Sequence, residues 1–299
     1  MKGGYFQNME LYFALENHFK NLDKCEIEYN KIFNIRKNKE YYESYIMFAY
    51  RKFKSLDYHC SNTDCLISKE TNNLSKKNIN ILKNKELKKY RIKKFIMRMK
   101  KDNYNFIYEL SAFLEALKSC LDLLAEVASF YLKGVNVNYS ISPLLKLSNK
   151  KKSKILDFIS SNANWIGIIR NYRHPIVHRL VLPLKSGYEI HQINGKSKKI
   201  LYPVLIPETT PKFIPDTRKN RMMDNEEDEL NNAIYSTETC RVLKDGVEET
   251  LDFKINIEAD SGYIRIEDFM RNHKNRCEAY FIEFIRVLDK LNFEFDFIK

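Results

Sequence analysis

Apolar residues return every three or four positions between Asn105 and Lys133, where Phe106, Leu110, Phe113, Leu117, Leu121, Leu124, Ala128 and Tyr131 make one continuous stripe. That period predicts an amphipathic helix, and Gly134 supplies its stop. A polar connection containing Pro143 leads to a second helical pattern, Ile155, Phe158, Ile159, Trp165, Ile166 and Ile169, which runs into Arg170. Upstream, residues 5–58 read as aromatic-rich helices, with Tyr12, Leu15, Phe19 and Leu22 spaced for one face. The polar stretch Ser61–Lys77 separates them from a basic helix over 76–101. A last helix over Ile264–Leu291, with Phe269, Phe281, Phe284, Ile285 and Leu288, should return to the helical core.

Between residues 181 and 257 the period changes. Val181–Ile206 is rich in apolar and β-branched residues, with Asn194-Gly195 between two extended runs, a short-range hairpin signal. Prolines then recur every four residues from Pro203 to Pro215, and Arg218–Glu229 passes from basic to acidic, as a linker does. A second hairpin is expected over Val242–Ile257, around Asp245-Gly246. The fold class expected is α+β, a mainly α-helical bundle with a β-hairpin-rich insertion between the third and last long helices. Four segments follow: 1–100, an N-terminal helical region with the basic helix; 101–182, a helical core; 183–260, the β-rich insertion with its Pro-rich loop; and 261–299, the C-terminal helix packing on the core.

Composition adds limits. With 299 residues, 44% hydrophobic and 13% aromatic, the chain can bury one large core or two smaller ones. Residues 1–4 open no long apolar run, and no window approaches a membrane span, so neither signal peptide nor membrane anchoring is expected and the cytoplasm is the expected location. The six cysteines, at 25, 60, 65, 120, 240 and 277, have no repeated spacing, and reduced thiols are the simple reading. His59-Cys60 with Cys65 could ligate a metal, but no second pair at finger spacing follows, so no metal site and no cofactor are expected. His18, His191 and His273 stand alone, as surface or core histidines do.

The net charge of +12 is concentrated between Lys76 and Lys101, which holds twelve Lys/Arg against the single acid Glu86. Ile79, Leu82, Tyr90, Ile92, Phe95, Ile96 and Met99 interleave with these charges. Such a segment can track a nucleic-acid backbone, with Lys83, Lys88, Lys89, Lys93 and Lys94 along the path, or lie on an anionic membrane. The plainer alternative is a solvated helix face in a chain rich in Lys, Asn and Ile.

One segment carries chemistry. Arg170-Asn171-Tyr172-Arg173-His174-Pro175-Ile176-Val177-His178-Arg179 gathers three arginines and two histidines around a proline. An arginine keeps its charge and an imidazole titrates near neutrality, which together suit a phosphodiester. On a regular helix Arg173 and His178 lie about 140° apart. Pro175 has no N–H and pushes His174 from helical geometry, so a kink or break that lets the two converge is predicted.

Arg173, His174 and His178, with Pro175, Ile176 and Val177 between, resemble the R-x4-6-H motif of the HEPN superfamily (higher eukaryotes and prokaryotes nucleotide-binding). The stretch Tyr108–Leu124 also resembles the helix preceding the motif helix in such proteins, and the resemblance covers roughly residues 100–182. It implies a four- to five-helix core and a metal-independent endoribonuclease that uses the RNA's own 2′-OH as nucleophile. It also implies a homodimer in which two motifs meet. By that resemblance His178 is the general base or acid, Arg173 neutralises charge on the phosphorus oxygens, and His174 orients them or contacts phosphate. Asn171 following Arg170 makes a second register, in which Arg170 is the catalytic arginine and Arg173 supports. Members of the superfamily serve as toxins or antiphage effectors, so RNA and a separate antitoxin or regulatory protein are the implied partners. A catalytically inactive RNA-binding or adaptor module is the alternative, and a peripheral membrane protein using the basic helix a third.

Overall fold

Long helices with one apolar face carry most of the described residues. The computed structural model describes residues 9–24, 38–77, 94–97, 104–132, 134–178, 184–186, 188–193, 197–208, 235–244, 247–256, 262–291 and 296. Seven helices lie among them: α1 (Met9–Lys24), α2 (Asn38–Lys77), α3 (Tyr104–Tyr131), α4 (Ser142–Ser148), α5 (Lys154–Ser161), α6 (Ala163–His178) and α7 (Ile266–Leu291). Eight strands accompany them: β1 (Lys94–Met97), β2 (Lys185–Ser186), β3 (Tyr188–Ile193), β4 (Ser197–Leu201), β5 (Val204–Pro207), β6 (Tyr235–Lys244), β7 (Val247–Asn256) and β8 (Tyr263–Arg265). The chain divides into two discontinuous units, one made of Met1–Cys60, Leu110–Arg179 and Met270–Lys299, the other of Ser61–Glu109 and Leu180–Phe269.

In the first unit the apolar period and the burial coincide. Leu110, Phe113, Leu117, Leu121, Leu124, Ala128 and Tyr131 of α3 are buried, as are Tyr42, Ile46, Ala49, Phe53 and Leu56 of α2 and Cys277, Phe281, Phe284, Ile285 and Leu288 of α7. Each fully buried Leu or Phe contributes about 1.5–3 kcal/mol, far more than helix propensity does per residue. The helix α3 ends at Tyr131, and Gly134 takes the left-handed conformation (φ 78°) that a side chain would strain. In α1 the buried stripe is Leu11, Leu15, His18 and Leu22, not the expected Tyr12, Leu15, Phe19 and Leu22. Tyr12 lies one residue off that stripe and is 55% exposed.

The expected helix over 155–169 is two helices, divided at Asn162. Its side-chain Nδ2 donates to the Phe158 carbonyl (2.9 Å) and closes α5. At the other end of α5, Ser153 Oγ accepts from Leu156 N (3.2 Å), while the Asp296 carboxylate accepts from Lys154 N (3.2 Å) and Ile155 N (2.7 Å). A carboxylate against a helix start satisfies two orphan amides and complements the dipole. Asp296 N in turn donates to the Tyr131 carbonyl (3.0 Å).

In the second unit five strands pair in the order β4-β3-β1-β7-β6 and three in the order β2-β5-β8. The β1 strand pairs antiparallel with β3, Lys94 opposite His191 and Phe95 opposite Ile190, and meets β7 at Ile96 opposite Lys254. Phe106 and Tyr202 stack at 6.2 Å.

The α+β expectation is corrected: the described residues are mostly helical. The strands between α6 and α7 are not the self-contained hairpin insertion expected, because β1, from ahead of α3, lies between β3 and β7 as the central strand of five. Asn194-Gly195 and Asp245-Gly246 lie outside the described residues. The separator expected at Ser61–Lys77 is the last half of α2, whose forty residues contain no Gly or Pro to end them. The basic helix expected over 76–101 is corrected too, since Lys94–Met97 is extended; residues 78–93 and 98–101 lie outside the described residues. No described helix is long and apolar enough to cross a membrane.

Candidate active site at the end of the motif helix

The α6 helix presents two faces. Trp165, Ile166, Ile169 and Tyr172 are buried, whereas Arg170 and Asn171 are exposed, and Arg173 lies at the border with its side chain 21% exposed. A half-buried arginine needs partners, and Arg173 finds one on α3. Its Nε donates to Glu115 Oε2 and its Nη2 to Glu115 Oε1, both at 2.7 Å, in a two-pronged ion pair. Glu115 raises the Arg173 pKa, so this guanidinium stays charged at any working pH. Nearby on α3, Lys118 pairs with Asp122, and Asp122 Oδ1 accepts from Ile141 N (3.0 Å).

Of the kink or break expected at Pro175, the chain does not make the break. The α6 helix continues through Pro175 to His178, so the helical register fixes where the motif positions fall. Arg173 and His178 are about 140° apart around the axis, while Arg170, His174 and His178, spaced by four, span about 80°. The helix therefore groups Arg170 with the two histidine positions and turns Arg173 toward Glu115. The side chains of residues 174–178 lie outside the described residues.

Glu115 is the residue that sequence reading missed. It sits 58 positions from Arg173 inside a helix already explained by its apolar stripe, and no local spacing links a surface glutamate to a distant arginine. Of the expected RNA-contacting lysines, Lys83, Lys88, Lys89 and Lys93 lie outside the described residues, and Lys94 opens β1.

The lone histidines have structural surroundings where they are described. His18 is fully buried; its Nδ1 meets Asp289 Oδ1 at 2.6 Å and its Nε2 meets the Tyr42 hydroxyl at 2.8 Å, which continues to the Tyr131 hydroxyl at 2.9 Å. His273 Nδ1 accepts from Trp165 Nε1 (3.0 Å), and burial lowers its pKa to about 4. His191 stands in β3 opposite Lys94 and Lys199. His59, Cys60 and Cys65 lie on α2, and among the described residues no three His, Cys, Asp or Glu side chains gather as a metal site.

Exposed Arg170 and Asn171, Arg173 steered by a carboxylate, and two histidine positions within two turns can between them bind an anion and move a proton. No family model matches the chain, and neither the curated proteins nor the solved structures include a match.

Proposed function

We propose that this chain is a metal-independent endoribonuclease of the HEPN type, acting as a homodimer on cytoplasmic RNA, in the role of a toxin or antiphage effector held in check by a separate antitoxin. The observation that carries this reading is the grouping of Arg170, His174 and His178 on one side of the last turns of α6, with Arg170 and Asn171 open to solvent.

In this reading one histidine, His178, removes the proton of the substrate 2′-OH. The O2′ attacks phosphorus, the bond to the 5′ oxygen breaks, and a second imidazole, His174 or its partner-copy equivalent, returns a proton to that leaving oxygen. A 2′,3′-cyclic phosphate and a 5′-hydroxyl remain. Imidazoles with pKa near neutrality suit both transfers, and a fixed guanidinium suits the charge that builds on the non-bridging oxygens. Arg170 fills that role from its exposed position. Arg173 reaches it by exchanging Glu115 for phosphate, since both anions fit the same donor fork. The exchange swaps one two-pronged anion for another, and Glu115, with its side chain 43% exposed, can turn to water when it is displaced.

The test is cleavage of RNA by purified protein in excess chelator, with end-group analysis. Cyclic phosphate ends, lost in Arg170→Ala and in His178→Ala, are expected, and DNA of the same sequence should survive. Equal cleavage by wild type and variants at matched purity, or activity restored only by added divalent metal, overturns the reading. One observation favours a second reading, an inactive RNA-binding or adaptor module. Arg173, the arginine of the R-x4-H spacing, is already neutralised by Glu115. RNA binding without cleavage at any pH would select it.

A further inference from the structure

We propose that the outer face of α2 at Tyr41, Tyr45 and Phe48, together with Tyr139, is a base-stacking site for single-stranded RNA. It deepens the function proposed above by naming where the strand is held, and rests on that reading for the choice of RNA.

Four rings stand out where burial would be expected to hide them. Tyr41 is 54%, Phe48 47% and Tyr139 68% exposed, and Tyr45 is half-buried. On α2 the three ring positions fall within about 60° of arc and rise about 6 and 4.5 Å in succession. That exceeds the about 3.4 Å between stacked duplex bases, so the rings suit splayed bases of a single strand and not a closed helix. Tyr45 is backed by Phe130, ring centres 6.2 Å apart, and leans on Tyr139 at 6.3 Å with the hydroxyls 3.5 Å apart. That hydrogen bond raises the Tyr45 pKa to about 12, so the phenol stays neutral.

Tyr139 is held out on backbone that disfavours a bulky side chain. Asn138 (φ 46°) and Tyr139 (φ 53°) are both left-handed. The turn is fixed by Asn138 N donating to Asn136 Oδ1 (3.0 Å) and Tyr139 N donating to the Glu126 carboxylate. Strained residues persist where function selects them. Core packing does not hold a ring this exposed in place.

Charge selects the occupant. The Arg51 guanidinium lies 5.7 Å from the centre of the Phe48 ring, and exposed Lys52 continues the same line one turn on. Aromatic faces bordered by cations bind any base through stacking and cation–π attraction. Exposed Glu40 precedes the strip, so the counter-charge for phosphates lies at its Arg51–Lys52 end. Between Tyr41 and Lys52 the exposed large apolar side chains are Tyr41, Met47 and Phe48, with Ile46 turned inward, so rings outnumber aliphatic anchors on this strip.

Fluorescence anisotropy of the full chain with a short single-stranded 2′-O-methyl RNA, which 2′-OH chemistry cannot cut, tests the site. Tyr41→Ala and Phe48→Ala should each weaken binding about tenfold, Tyr41→Phe should restore it, and Arg51→Gln should flatten the salt dependence. A duplex of the same sequence should bind more weakly and ignore the ring substitutions. Unchanged affinity in both alanine variants, equal losses for duplex, or dissociation of a dimer in place of any RNA effect would overturn the proposal. Ring-dependent binding without cleavage would sink the nuclease and leave this site standing; cleavage with ring-independent binding would do the reverse.

Discussion

Two polar constellations of similar chemistry lie in the same helical unit, and they differ in what surrounds them. The chain Asp289–His18–Tyr42–Tyr131 links a carboxylate, an imidazole and two phenols through contacts of 2.6, 2.8 and 2.9 Å, with His18, Tyr42 and Tyr131 fully buried. The last turns of α6 carry arginines and histidines too, yet Arg170 and Asn171 face solvent and Arg173 is tied to only a half-exposed carboxylate. A histidine–carboxylate pair in the first setting ties α1 to α7; no substrate can reach its imidazole. The second setting leaves charged donors accessible and weakly committed. Residue type alone does not separate a sealed network from one with groups open to solvent, and burial does.

Crossing two alanine substitutions gives the largest contrast. His178→Ala should lower RNA cleavage by about 10²–10⁴-fold, the range typical of a lost general acid or base, with its denaturation midpoint unmoved. His18→Ala should cost about 2–4 kcal/mol in urea unfolding, because it opens a cavity and takes one hydrogen-bond partner from the buried Tyr42 hydroxyl and one from Asp289, while cleavage per folded molecule is kept. A His178 variant that unfolds like the His18 variant would place the motif among the structural networks.

A smaller effect, read by pH, concerns a further partly buried histidine outside both constellations. His273 is neutral in the fold because burial lowers its pKa from 6.5 to about 4. Between those values the unfolded chain binds the proton and the folded chain does not, so stability rises with pH there. This contribution is fully present above pH 6.5 and declines as pH falls toward 4, by up to about 3 kcal/mol. Urea midpoints measured across that window for wild type and His273→Gln should converge at low pH. Parallel curves would mean that other groups carry the acid sensitivity.

The smallest effect concerns the carboxylate between the two regimes. Glu115→Gln should change stability by about 1–2 kcal/mol, as expected for a two-pronged pair with one partner half-exposed, and should tighten RNA binding by freeing the Arg173 guanidinium. A loss of several kcal/mol would move Arg173 into the structural class and leave Arg170 alone at the phosphate.

The long helices were legible because their signal is local and repeated. The α3 stripe needs only a 3.6-residue period to be found, and each of its eight apolar positions is buried. In α1 the aromatic residues misled, because Tyr12 and Phe19 are large and apolar, while the polar His18 takes the buried position by bonding to Asp289 and Tyr42. Lys94–Met97 read as part of a basic helix, yet strand pairing with β3 and β7 sets its conformation. Pairing partners some ninety and more residues away leave no mark on a local period, which spans about 3.6 residues.

The sequence by itself determined the helical periods, the stop at Gly134, and the grouping of Arg170, Asn171, Arg173, His174 and His178 into one segment. Only the tertiary structure decided that Arg173 turns to Glu115, that His18 closes a buried chain to Tyr131, and that Tyr139 stands beside Tyr45. The physical reason is range. Backbone propensity and apolar period act over one or two helical turns, whereas an ion pair or a hydrogen-bonded chain joins whichever groups packing brings within about 3 Å, at any distance along the chain.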